Sequence, residues 1–242
     1  MLSISITKDI LMIIDTSPDA DVTLLSGRAA CLKATNTLLV ADLHLGKAST
    51  FRKAGIPIPE GSAQKDLARL EFLISNHAIR RLIVLGDLFH APSGLSARVQ
   101  EEFRDTRSRC PNTEIILVRG NHDRSIPKLK ESFGIDCIVP NLSEPPFFFT
   151  HQSDHTRPRS QETVLTVAGH VHPTISINSP SGDRFTERCF LLEGDTLVLP
   201  AFGSFTGGHQ INVHTANRAW VSRDDGVTEV TRLMKHTSQH RQ

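Results

Sequence analysis

No pair among the four cysteines, Cys31, Cys110, Cys137 and Cys189, has CxxC spacing. Secreted disulfide scaffolds are short and cysteine-dense, so these read as free thiols in a reducing compartment. Long hydrophobic runs are missing too. The longest apolar stretches, such as Ile10 to Ile14, fall far short of the ~20 residues a membrane helix needs. The first residues lack a basic segment followed by a small-residue cleavage site. No signal peptide is therefore expected, and a cytoplasmic location with no membrane partner is. Nor is one sign of charge in excess. Lys plus Arg number 27 against 26 Asp plus Glu, a formal net charge of +1. That excludes a bulk polybasic binder and a polyacidic tail. It leaves room for a nucleic-acid enzyme whose metals supply the positive charge. No repeat, low-complexity tract or long linker divides the 242 residues. One domain over 1–242 is expected, large enough to bury roughly 70% of its unfolded surface. Histidine, by contrast, is abundant, at 12 residues.

Short apolar runs, several rich in β-branched residues, recur and stop at polar residues. Thr37 to Ala41 stops at Asp42, and Arg81 to Leu85 stops at Gly86-Asp87. Glu114 to Val118 stops near Gly120-Asn121-His122-Asp123. Pro146 to Phe149 stops at Thr150-His151, and Thr163 to Ala168 at Gly169-His170. Each has the length of a buried strand bounded by turn residues. Helices are expected from Ser62 to Asn76, with Leu67, Leu70, Phe72, Leu73 and Ile74 among charges, and from Ser96 to Ser108, with Val99 and Phe103. Pro127 to Phe133 suits a short third. This alternation predicts an α/β order. After Pro173 the expectation changes to antiparallel sheet: Thr174 to Ile177, Cys189 to Leu192, Thr196 to Leu199, Gln210 to His214 and Trp220 to Val221. The first 36 residues, with Ile4, Ile6, Val22, Leu24 and Leu25, also look strand-like. The polar tail from His236 is expected to fray.

In open α/β sheets, ligand sites lie beyond the carboxyl ends of the strands. All five of these ends carry metal-ligand residue types: Asp42 with His44, Asp87, Asn121, His151, and His170 with His172. Taken singly, each is commonly a turn or cap residue. Five in succession are hard to obtain by chance. His170 and His172 alternate with period two, which points both imidazoles to one side. Oxygen and nitrogen donors without thiolate suit Mn, Fe or Zn over copper(I) or iron–sulfur clusters. Seven donors are too many for one tetrahedral ion. They suit two divalent ions sharing a bridging carboxylate, about 3.5–4 Å apart, the spacing used for phosphoester hydrolysis. His122 is additional. Asp123 beside it would orient a backbone or imidazole group behind the ligands, or cap a turn.

In wording and order, ADLHLGK, GDLFH, GNHD, a strand-end His and GHVHP resemble the motif set of the calcineurin-like binuclear metallophosphoesterases, from about Thr37 to Pro173. The resemblance implies a four-layer α/β fold, with two central mixed β-sheets in a sandwich flanked by α-helices. It implies that Asp42, His44, Asp87 and His172 hold one metal. Asp87, Asn121, His151 and His170 would hold the other, with Asp87 bridging. His122 would be the outer-sphere histidine beside the substrate phosphate, donating a hydrogen bond to developing charge or protonating the leaving oxygen. Many relatives carry Gly before the strand-end His, where this chain has Thr150. His155 follows shortly after; His151 is preferred because only Thr150 separates it from the Phe run.

The protein-phosphatase branch reads GDxxDRG and GNHE, and this chain departs from both with GDLFHAP and GNHD. GDLFH is similar instead to the double-strand-break repair nucleases of the SbcD type. There the His matching His90 assists nuclease chemistry; helix capping is its plainer role. Over nearly the whole chain, ADLHLGKASTFRKAGIPIP and LPAFGSFTGG resemble the bacterial ligase-associated DNA damage response endonucleases. This implies a manganese-dependent phosphodiesterase acting on DNA, single strands preferred, in DNA repair. It also implies functional association with an Lhr-type helicase, an ATP-dependent DNA ligase and a metallo-β-lactamase-fold exonuclease. Lys47 and Arg52, with Lys53, would bind phosphates after the first metal loop, or form a solvated basic surface. Phe202 or Phe205 would stack a base or pack in the core. The alternative function is a phosphomonoesterase or small-molecule phosphodiesterase using the same ions. A scaffold that had lost catalysis should show degraded ligands, and none is degraded here.

Overall fold

The structure, a computed structural model, describes residues 9–12 (backbone only), 21–153, 163–178, 183–211, 218–223 and 225–230. Ile4, Ile6, His155, the end of the Gln210 to His214 segment and the tail from His236 lie outside them. Seven strands form a first sheet in sequence order: β1 (Asp9–Met12), β2 (Val22–Leu25), β3 (Ala29–Leu32), β4 (Thr37–Val40), β5 (Arg81–Leu85), β6 (Glu114–Val118) and β7 (Cys137–Val139). Pairing is antiparallel from β1 to β4 and parallel from β4 to β7.

The second sheet contains β8 (Leu142–Glu144), β9 (Phe147–Thr150), β10 (Leu165–Ala168), β11 (Pro173–Asn178), β12 (Arg184–Glu193), β13 (Thr196–Val198), β14 (His209–Gln210), β15 (Arg218–Arg223) and β16 (Gly226–Glu229). The antiparallel arrangement expected after Pro173 holds for β11 with β12, β12 with β13 and β15, and β15 with β16. It fails for β13, which runs parallel to β10, and for β14, which runs parallel to β11. Both sheets are therefore mixed.

Four helices are described: α1 (Lys47–Lys53), α2 (Ser62–Asn76), α3 (Ala97–Arg109) and α4 (Leu129–Phe133). After their first residues, Thr37, Arg81 and Glu114, the middle strands β4, β5 and β6 are apolar because both of their faces are covered. Leu38, Val40, Leu82 and Val84 pack under Leu67, Leu70 and Leu73 of α2, Phe103 of α3 and Phe133 of α4. The alternate residues Leu39, Ile83 and Ile116 face Phe149, Val167, Phe190 and Trp220 of the second sheet. α2 has the bounds its periodicity predicts. Phe72 is the exception on it: two residues past Leu70 it turns about 200° away and stands 64% exposed. α3 starts one residue later than expected, because Ser96 caps it by accepting from the Val99 amide at 3.3 Å. The short helix α1, and strands β7, β8 and β16, were not visible in the sequence pattern. Among the described residues, no helix is long and apolar enough to cross a membrane.

Candidate metal centre

Parallel pairing of β4, β5 and β6, and of β9 with β10, brings five strand ends to one edge of the sandwich. The chain then turns sharply. Asp42, His44, Asp87, His170 and His172 all adopt left-handed backbone, with φ of 55°, 47°, 51°, 69° and 51°. For a non-glycine residue this costs ~1–2 kcal/mol each. Such strain persists where the surroundings over-determine the residue, and it clusters at functional sites.

The turns are held together by backbone bonds. The Asp42 amide donates to Gly86 O at 3.1 Å, and the His44 amide to Asp87 O at 2.9 Å. The His170 amide donates to Asp42 Oδ2 at 2.8 Å. Asp123 resolves the two roles the sequence left open for it. Buried at 1% exposure, its Oδ2 accepts from the Asp87 amide at 2.8 Å and the Gly120 amide at 2.9 Å. It thereby orients the backbone that carries Asp87. Burial raises its carboxyl pKa, against those hydrogen bonds. A Cβ at Gly120 would collide with Asp87 Oδ1, and one at Gly86 with the His151 ring. Backbone approaches this close require glycine.

Three groups of potential ligand atoms result among the described residues, each with its atoms within 4.8 Å of one another. Asp42, His44 and His172 form the first and Asp87, His151 and His170 the second; the third, His44 with His90 and His122, has no carboxylate and shares His44 with the first. Asp42 Oδ1 lies 3.2 Å from His172 Nε2. Asp87 Oδ2 lies 3.6 Å from His44 Nε2 and 3.5 Å from His151 Nε2, so one oxygen faces the first and second groups. Asn121 shares the wall of a cleft with His151.

The donor set fits divalent cations. Asp42 Oδ1, His44 Nε2 and His172 Nε2 are buried without a hydrogen-bond partner. Unpaired buried polar atoms are costly, and here three of them converge. His151 donates from Nδ1 to Leu85 O at 2.9 Å, which leaves Nε2 bare and facing His170 Nδ1 at 3.2 Å. That carbonyl contact is the outer support a metal-binding imidazole usually has. Burial, then the neighbouring imidazoles and Lys47, pushes the His44 pKa down to about 2. His170 is also lowered, first by burial and then by His151. Both rings are thus neutral near pH 7, the form a metal needs.

Two more histidines border the first group. His90 Nδ1 is 3.4 Å from His44 Nδ1, and its ring stacks on His122 with centroids 4.7 Å apart. Burial, then the charge of His122 and Lys47, takes the His90 pKa down to about 4. His122 donates from Nδ1 to His90 O at 2.6 Å, and its Nε2 lies 4.0 Å from Asp87 Oδ2. Its side chain is 40% exposed, against 4% for His44.

Of the expected phosphate-binding residues, Lys47 opens α1 and lines a recess with His44 and Phe205, its ammonium pKa lowered by burial. Arg52 donates to the carbonyls of Ile58 and Pro59 at 3.4 and 3.3 Å and to Ser49 Oγ at 3.0 Å. Phe202 is a core residue with zero exposure; Arg69 lies 4.2 Å over its ring. Phe205 is half-buried against Phe51, centroids 5.6 Å apart.

Three residues that carry this site went unnoticed in the sequence. Asp66 and Arg69 on α2 bind the backbone of the glycine-rich loop, at the Ser204 amide (2.7 Å) and at Phe202 O. Arg188 on β12 donates to four carbonyls of the same loop, those of Ala201, Gly203, Ser204 and Thr206. The loop in turn donates to Ala41 O and Asp42 O, from the Phe202 and Gly203 amides. No local pattern marks these residues. The nearest signal was Asp66 falling on the apolar face of α2, beside Leu67 and Leu70. We expect Arg188→Met to cost about 3 kcal/mol and to lower Tm by about 6–12 °C, with weaker metal retention. Thermal unfolding beside elemental analysis checks both.

Residues 35–193 match the family model described as calcineurin-like phosphoesterase. Among solved structures, the chain is similar to the nuclease MPE of Pseudomonas putida, at 32% identity and a TM-score of 0.71, over 86% of this chain and 94% of that one. It is also similar to Yfce, a phosphoesterase from E. coli, at 18% identity and a TM-score of 0.41, over 81% of this chain and 98% of the other. A protein of unknown function from Aquifex aeolicus, AQ665, gives 18% identity and a TM-score of 0.40, over 56% of this chain and 78% of its own. No curated protein matches.

Proposed function

This chain belongs to the calcineurin-like phosphoesterase family, and from that premise we propose that it is a two-metal DNA endonuclease, manganese-dependent and most active on single strands. The observation that carries the reading is the pair of ligand groups meeting at Asp87 Oδ2. The similar Pseudomonas putida protein is named a nuclease, which favours a nucleic-acid substrate.

Asp42, His44, His172 and Asp87 would hold one ion; Asp87, Asn121, His151 and His170 would hold the other. Divalent ions held there would supply charge neutralisation of phosphate oxygens and hydroxide near neutral pH. The chain's own groups do the rest. The Asp123 carboxylate and the Leu85 carbonyl fix the orientation of Asp87 and His151. His122 is turned by its bond to His90 O so that Nε2 is the atom that gains or gives a proton. At Nε2 it donates to the phosphate oxygen or protonates the departing oxygen. His90 supports both neighbours, meeting His44 at Nδ1 and stacking on His122. Lys47 adds one positive charge at the rim of the first group. Arg52 acts by holding the loop after α1. Single strands are favoured because a flexible chain bends into a recess among loops at less cost than a duplex.

The test is circular single-stranded DNA, which has no ends. Purified protein with Mn2+ should nick it, Mg2+ or Zn2+ should serve less well, and intact duplex should be cut more slowly. An intact circle under every metal, with rapid turnover of mononucleotides or small diesters, would replace the endonuclease with a small-molecule phosphoesterase.

A further inference from the structure

Two ligand groups can engage one phosphate, whereas a DNA strand presents several. Of the cations that follow the first metal loop, Lys47 stands at the rim of the first group, and the other two are committed elsewhere. Arg52 is spent on the Ile58 and Pro59 carbonyls, and Lys53 Nζ on Ser93 O at 2.6 Å. Most other described arginines are paired with acids: Arg81 with Glu144, Arg109 with Glu71, Arg218 with Glu229 and Arg223 with Glu187.

Arg119 and Arg124 differ. Both are exposed, and neither side chain has a hydrogen bond or ion pair with any described residue. Both line a cleft of about 490 Å3, within the range of small-ligand sites, whose wall includes Asn121 and His151. No carboxylate is among its described lining residues; Asn141, Thr150 and Gln152 supply neutral polar groups instead. The two arginines are also firmly mounted. The Arg119 amide donates to Val139 O at 2.8 Å. Arg124 sits in the short turn Asp123–Ser125, whose first residue anchors Asp87. A pair of unspent guanidinium groups in a cleft with no acid among its described lining residues favours an anion. The cleft opens on the Asn121 and His151 side of the centre, so that anion lies next to the one being cleaved.

We infer that this cleft is a second phosphate subsite, in which Arg119 and Arg124 bind the backbone phosphate adjacent to the scissile one. The inference rests on the endonuclease reading of the same centre. The variant is Arg119→Gln with Arg124→Gln, at exposed positions, and an unchanged Tm verifies folding. Two measurements are decisive. First, oligothymidylate binding is followed by fluorescence anisotropy in EDTA over a salt series. At a slope of about 0.7 per neutralised phosphate on single strands, the double variant, which loses one phosphate contact, should lose about 0.7 from the log–log slope. Second, hydrolysis of thymidine p-nitrophenyl phosphate, with one phosphate, is compared with isomers bearing a second phosphate on the free 3′ or 5′ hydroxyl. Wild type should prefer one two-phosphate isomer by about tenfold, the worth of one charge-assisted hydrogen bond. In the double variant that preference should collapse toward one. An unaltered salt slope and an unaltered preference overturn the subsite. DNA cleavage by wild type with no preference for any second phosphate also overturns it. Ester hydrolysis without any DNA cleavage removes the endonuclease reading instead.

Discussion

Asp87→Ala should abolish hydrolysis and strip both metal positions together. Its Oδ2 faces His44 Nε2 and His151 Nε2 at 3.6 and 3.5 Å; Asp42 Oδ1, 3.2 Å from His172 Nε2, meets His151 only at 3.9 Å and at Nδ1, the nitrogen already bonded to Leu85 O. Without Asp87, each group keeps neutral imidazoles, and Asp42 alone supplies negative charge against two dications. Bound ions contribute several kcal/mol of charge stabilisation, so a fall of at least about 10³-fold is expected. Because Asp87 Oδ1 also accepts from the His122 amide at 2.9 Å, the alanine variant disturbs the backbone as well. Asp87→Asn separates the two effects: it retains an acceptor for that amide and removes the charge. Elemental analysis should find both ions depleted in Asp87→Asn while Tm in chelator stays near wild type. Two ions per chain with substantial turnover would remove the bridge assignment.

His122→Ala should keep both ions and lose about 10²–10⁴-fold in kcat. Its Nε2 stands 4.0 Å from Asp87 Oδ2, farther than either bridging contact, and its side chain is the exposed one. Nδ1 is occupied by His90 O. What is left for Nε2 is an incoming ligand. A proton donor matters most for a poor leaving group. The loss should therefore be large on DNA and much smaller on a p-nitrophenyl ester, whose leaving group needs no proton. An equal loss on both substrates argues for electrostatic binding of the phosphate alone. Loss of one metal equivalent would make His122 a ligand.

Asp42, His44, Asp87, His151, His170 and His172 were legible because each follows an apolar run, and parallel strands deliver their carboxyl ends to one edge. Order along the chain then suffices to predict convergence in space. The bounds of α2 were legible because a 3.6-residue period is written locally; the side chosen by Phe72 within it was not.

The sequence by itself determined the donor types, their order and the alternation of strand with helix, since these depend on neighbours a few residues apart; the layered two-sheet fold was implied by the family resemblance. The tertiary structure alone decided which side chains serve those donors. Asp66 reaches Ser204, 138 residues away, and Arg69 reaches Phe202, 133 away. No local pattern encodes a partner at that separation. The same holds for charge. Arg52, Lys53, Arg119 and Arg124 look alike as letters. Only their surroundings distinguish the first two, whose donors are met by the protein's own carbonyls, from the last two, which face an open cleft. A cation's availability is a property of the donors and acceptors within about 3 Å of it, and folding chooses those.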